Sequence, residues 1–277
     1  MIIAKKHLNC GLLYGLDFMK FNALMTDSIS ISAIILVTAI FILAGLVKGV
    51  IGMGLPTIAI GLLGLVIAPV EAAAMLVLPS LITNVWQLIA GPNFRGLLKR
   101  FGTLLVGICV GTPFGVSFIV FGNTDVVTAV LGAVLVCYGL YGLSSAKVNI
   151  SARTERWLSP VTGVVTGVLM GATGISALPV APYFTSLGLK KDDLIQALGL
   201  SFTISSCALA IGLLVTGEFR VAVATTSLLA LIPAFLGMFI GQALRQRIAQ
   251  EQFRKYFFVT LLVLGGYTTY RAISLMS

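Results

Sequence analysis

The sequence predicts an all-α polytopic membrane protein built from two related halves. Three observations predict it. Hydrophobic residues make up 58% of the 277 and charged residues only 10%, with a mean hydropathy of +1.07, more apolar surface than a soluble domain can bury. Uncharged stretches at 29–47, 72–90, 101–123 and 221–244 are each near the length of about 20 residues that crosses a bilayer. The chain also repeats itself: GLVKGVIGMGLP at 45–56 is echoed by GVVTGVLMGATGISALP at 163–179, and internal self-similarity signals a duplicated architecture.

The echo extends along both halves. Gly45 and Gly49 pair with Gly163 and Gly167, Phe94-Arg95 with Phe219-Arg220, Gly111 and Gly115 with Gly237 and Gly241, and Tyr138 and Tyr141 with Tyr267 and Tyr270. Each half divides into five apolar segments, A to E, at 29–47, 55–68, 71–90, 98–121 and 124–143, then 158–170, 175–188, 193–215, 221–244 and 254–273. Segments A and B are separated by glycines and a proline, and B is short for a full crossing. The pair is therefore a re-entrant hairpin or two broken helices.

The resulting domain organisation is an N-terminal extension at 1–27, a first repeat at 28–146, a cytoplasmic linker at 147–157 and a second repeat at 158–277. The extension mixes Lys5, Lys6 and Lys20 with apolar residues and lacks a long apolar core and a small-residue cleavage site, with Met25 an alternative start. Ten segments put Arg95, Lys99, Arg100, Lys147, Arg153, Arg156, Lys190, Lys191, Arg245, Arg247, Arg254 and Lys255 on one side. The other side receives Lys5, Lys6, Lys20, Arg220 and Arg271, so the first side is cytoplasmic by the positive-inside rule. An odd number of segments per half inserts the halves upside down relative to each other, the inverted-repeat plan of many secondary transporters.

Composition also narrows the function. The net charge is +9, but no basic run has interleaved aromatics, so a nucleic-acid partner is not expected. The sole histidine, His7, lies in the extension, which removes most catalytic triads and histidine metal sites. Cys10, Cys109, Cys137 and Cys207 have no CxxC spacing and read as small core residues. No catalytic residue, metal ligand or cofactor is assigned.

Two glycine-proline breaks at equivalent places need a reason, because unwound backbone is tolerated in hydrocarbon only where protein covers it or it lines a polar cavity. Glycines let backbone N–H groups face a ligand, and a helix N-terminus carries partial positive charge, so such a break can cradle an anion. Gly49, Gly52, Gly54 and Pro56 in one half, and Gly167, Gly171, Gly174 and Pro179 in the other, are candidates. Gly45, Gly49, Gly163 and Gly167 also fit small-xxx-small helix packing, which is the better reading of those four.

Lys48 is the basic residue beside the first break, and its counterpart in the second half is Thr166. It either selects anions or ends segment A and snorkels to the surface. Segment C carries Ser80, Thr83, Asn84 and Gln87, with 80, 84 and 87 on one helical face. Its counterpart carries Ser201, Thr203, Ser205 and Ser206, with Thr83-Asn84 aligned to Ser205-Ser206. Such donors suit sulfonate or sulfite oxygens, and they also bond neighbouring helices. The matched pair favours Thr83, Asn84, Gln87, Ser205 and Ser206 as substrate contacts. Glu71 reads as an interfacial charge near a helix start, leaving the coupling ion unassigned.

The motifs KGVIGMGLP at 48–56 and GVLMGATGISALP at 167–179, each followed by a hydroxyl-bearing segment C, resemble the TauE/SafE family of sulfite exporters and sulfonate permeases. The resemblance spans about residues 30 to 275, and Met53 and Leu55 interrupt the usual glycine run of the first signature. It implies a bacterial inner-membrane carrier for sulfite, sulfonates or related sulfur anions, without a bound cofactor. Gly52, Gly54 and Pro56, and Gly171, Gly174 and Pro179, then occupy the two signature positions. The expected partners are a small sulfur-containing anion and the lipid bilayer; homodimer formation is left open. An anion channel, and a membrane-embedded sulfur-handling enzyme or assembly factor, are the alternatives.

Overall fold

The computed structural model describes residues 31–144, 149–245 and 247–276, and every regular element among them is a helix. The expected extension at 1–27, with His7, Cys10 and its lysines, and Lys147 of the linker lie outside the described residues. The first half runs α1 (Ile31–Ile51), α2 (Leu55–Leu63), α3 (Pro69–Ile89), α4 (Phe94–Phe121) and α5 (Thr124–Leu143). The second runs α6 (Ala152–Thr173), α7 (Ala177–Ser186), α8 (Lys191–Val215), α9 (Val221–Leu229), α10 (Leu231–Leu244) and α11 (Gln250–Met276).

Among the described residues seven helical stretches are long and apolar enough to cross a membrane, with 223–244 forming one of them across α9 and α10. The nine residues of α2 reach about 14 Å, half the hydrocarbon thickness, so α2 cannot cross fully. Helix α7, with ten residues, is equally short. Helix α6 begins at Ala152, earlier than the 158–170 segment expected. Ser151 caps it by accepting from Thr154 N at 3.3 Å, and Glu155 in its first turn pairs with Arg100 at 2.7 Å, so charged residues sit where an apolar pattern cannot register them. The single segment expected at 221–244 is divided at Ala230, three residues before Pro233, which has no N–H to continue the ladder.

Residues 40–277 form one unit, and the contacts described here lie within it. Its main pairings are α4 with α6, α5 with α11, and α3 with α8. The C-terminal part of α1 packs on α10: a Cβ at Gly45 would overlap the Ala234 carbonyl, and one at Gly241 would overlap that of Leu46. The other crossing is built alike, Gly163 and Gly167 lying on the α4 backbone at Leu104 and Ile108, and Gly111 and Gly115 on the α6 backbone at Val164 and Val168. Glycines here allow backbones to touch, the packing reading of these residues. In segment terms, A of each half meets D of the other, C meets C, and E meets E, a reciprocal pattern.

The outward surface is apolar, with Val106, Val110, Phe114 and Phe121 on α4 and Val259, Val263, Tyr267 and Tyr270 on α11 all exposed. Such faces are satisfied by lipid rather than water. Cys109 and Cys137 lie on exposed faces and Cys207 is half-buried, which corrects the reading of them as core residues. Periodicity marks them as apolar-segment residues without saying whether that face meets protein or lipid.

Candidate functional site

The site grows from two chain breaks and two polar helices. Helix α1 ends at Ile51, where Gly52 N still reaches the Lys48 carbonyl at 2.7 Å. Gly52 and Gly54 then take positive φ values of 87° and 105°, a left-handed turn that a β-carbon disfavours. Pro56 sits in the first turn of α2, where its missing N–H costs nothing. The second break mirrors this: Gly174 caps α6 with φ 71°, and Leu178-Pro179 at the start of α7 is a cis peptide.

Between the breaks run α3 and α8. Pro79 inside α3 deprives the Met75 carbonyl of its usual helical donor. Ser227 of α9 replaces it, donating to Met75 O at 2.7 Å and accepting from Leu78 N at 3.2 Å. The turn that follows carries Thr83 and Asn84, both buried, and faces α8.

Lys48 enters this polar turn from α1. It is 4% exposed, so the snorkelling alternative does not describe it. Its Nζ donates to Thr83 Oγ1 at 3.1 Å and to Asn84 Oδ1. Thr83 donates onward to Pro79 O at 2.6 Å, and Asn84 Nδ2 donates to Ser206 Oγ at 3.4 Å. The network thus joins α1, α3 and α8. A small cavity opens beside it, lined by Lys48, Met53, Gly54, Pro56, Thr57 and Asn84 from the first half and by Ser176, Ala177 and Phe202 from the second.

Of the residues chosen from sequence, the fold brings together Lys48, Gly54, Pro56 and Asn84 at the cavity, with Thr83 joined through Lys48 and Ser206 through Asn84. Other candidates sit elsewhere. Gln87 donates to Ile195 O at 2.9 Å, clasping α3 to α8 beyond the cavity. Ser205 donates to Ser201 O at 2.8 Å within its own helix. Gly171 lies against the Thr112 and Gly115 backbone, serving the α4–α6 crossing. Gly52 and Pro179 shape the breaks without lining the cavity. Ser176, Thr57 and Phe202 line it without having been candidates, although Ser176 sits inside the GISALP motif between the two residues that were chosen.

A second cavity lies near the other break, lined by Ala73, Leu76, Val77, Ser80, Met170, Gly174, Ser206 and Leu209. Ser80 Oγ is buried there without a hydrogen-bond partner, as is Thr166 Oγ1, the position matching Lys48. No group of acidic, histidine or cysteine side chains suited to a metal occurs among the described residues.

The arrangement gathers a buried amino group, hydroxyl and amide donors, and glycine-bounded helix ends in a confined space, chemistry of the kind that suits a small anion. A family model described as sulfite exporter TauE/SafE matches residues 36–268. No curated protein and no solved structure matches the chain.

Proposed function

The chain belongs to the sulfite exporter TauE/SafE family, and from that premise we propose that it is a secondary transporter moving small sulfur-containing anions, sulfite or organosulfonates, across the bacterial inner membrane. The observation that carries this reading is Lys48 Nζ, buried beside a cavity to which both halves contribute. A cation is expensive inside an apolar core unless a partner compensates it. Among the described residues Lys48 has neutral partners only, and a transported anion supplies the missing charge. Asn84, its amide held by Ser206, orients the anion's oxygens, and Gly54 and Ser176 bound it at the two breaks.

The mechanism is alternating access. The two halves are inverted repeats that rock about the cavity, opening it first to one side and then to the other. Reciprocal pairing of A with D, C with C and E with E supports this, because a two-fold relation between halves produces such exchanges. The glycine seams support it too, since side-chain-free contacts allow helices to slide without unlocking bulky groups.

The test is binding and flux with purified full-length protein. Thermal shift against sulfite, sulfate, thiosulfate, taurine and alkyl sulfonates is expected to show stabilisation by a sulfur oxyanion. The same anion should enter liposomes containing the protein, and its uptake should be stimulated by the anion trapped inside. Binding of none of these anions would overturn the reading.

A further inference from the structure

Lys48 is a base enclosed with acceptors and no acid. Thr83 Oγ1 and Asn84 Oδ1 take two N–H bonds from Nζ, and both acceptors hand their own hydrogens away from the lysine, to Pro79 O and to Ser206 Oγ. Two acceptors satisfy a neutral amine; an ammonium has a third N–H to place. No third acceptor for it is found among the described residues, and Lys48 itself borders the cavity.

The described residues around it offer no counter-ion. None of the other residues lining the cavity bears a charge. On α3, Glu71 stands twelve residues before Thr83, about 18 Å along the helix. From α5 the Tyr138 phenol reaches the lining residue Met53, donating to its sulfur at 3.0 Å. Helix α10 meets Gly49 with Met238, Gly241 and Gln242, and α11 meets Gly54 with Phe257, while Arg254 and Lys255 one turn earlier are exposed. Helices α7 and α8 present Ser176, Ala177, Phe202 and Ser206. The ion pair of the described residues, Arg100 with Glu155, ties α4 to α6.

We propose that Lys48 is the coupling group of the transport cycle, a neutral amine before the anion enters and an ammonium while it is bound, so that each anion moves with one proton. The inference rests on the transport reading above. The step balances without oxidant or reductant. The Nζ lone pair takes a proton from water on the side where the anion enters, and the new N–H bond points its hydrogen at an anion oxygen. On the other side the anion leaves, the N–H bond breaks, and the proton passes to that side's water. A monoanion then crosses with no net charge.

Calorimetry of the purified full-length protein with sulfite, thiosulfate and methanesulfonate, repeated in buffers of different ionisation heat, counts protons taken up per anion bound. Thiosulfate and methanesulfonate carry no proton of their own near neutral pH, so uptake belongs to the protein. The expected result is about one proton per anion for wild type, and none for Lys48→Arg, whose guanidinium is charged throughout, or for Lys48→Met. Wild-type binding without proton uptake overturns the coupling and leaves the transport reading standing. Uptake undiminished in either variant overturns the assignment to Lys48. Where neither variant binds, the wild-type count decides. Failure of all three anions to bind wild type overturns the transport reading and this proposal with it.

Discussion

At the first break a lysine projects into the turn of α3 that carries Thr83 and Asn84, and one of the two left-handed glycines, Gly54, bounds a cavity beside it. At the second break the matching position is Thr166, buried and without a hydrogen-bond partner, and the cavity nearby is lined almost wholly by apolar groups around the orphan hydroxyl of Ser80. The backbone plan is shared, while the charge is placed once. The buried lysine and its hydrogen-bond network belong to the first break alone among the described residues.

That contrast can be broken at the scaffold first. The α4–α6 crossing is seamed by glycines from both helices, and Gly167→Leu would drive a side chain into the Ile108 and Thr112 backbone. Overpacking of backbone against backbone should cost about 3 kcal/mol or more and abolish monodisperse protein in size-exclusion chromatography. Gly266→Leu on α11, where a side chain would meet open space, should leave the elution profile unchanged.

The contrast sharpens at the charge. Lys48→Met should weaken anion binding about 100-fold, as removal of a buried charge partner does, whereas Thr166→Val should leave affinity unchanged; titration calorimetry compares them. Asn84→Ala, removing one oriented amide, should weaken binding about tenfold, corresponding to one hydrogen bond to a charged group. The smallest effects concern stability. Ser227→Ala leaves the Met75 carbonyl without a donor and should cost about 1 kcal/mol. Thr166→Val removes an unpaired buried hydroxyl at nearly constant shape and should be neutral or stabilising by up to about 1 kcal/mol. Thermal unfolding in detergent reads both.

The all-helical character, the segment pattern and the glycine seams were legible because composition and spacing report them directly. The polar turn was legible through the repeat, since aligning Thr83-Asn84 with Ser205-Ser206 singles out a position where two helices face each other. Spacing failed one turn away. Ser80, Asn84 and Gln87 do share a face of α3, and that face does meet α8, but only Asn84 is level with Lys48. Ser80 reaches the other cavity, and Gln87 reaches the Ile195 carbonyl. Height along a shared face depends on how helices are staggered, which periodicity does not encode. Ser227 was invisible for a similar reason: the demand it meets arises at Pro79, 148 positions earlier, and only tertiary contact joins the two.

The exchanged crossings also bear on how the chain is made. The glycine seam of α1 fits α10, and that of α4 fits α6, so the first half emerges from synthesis with both seams lacking their mates. During translation these bare grooves must wait in the bilayer while the second half is threaded past them. A first half expressed by itself should be degraded. The two halves supplied as separate polypeptides should rescue each other, because the bonds that matter run between them rather than along either one.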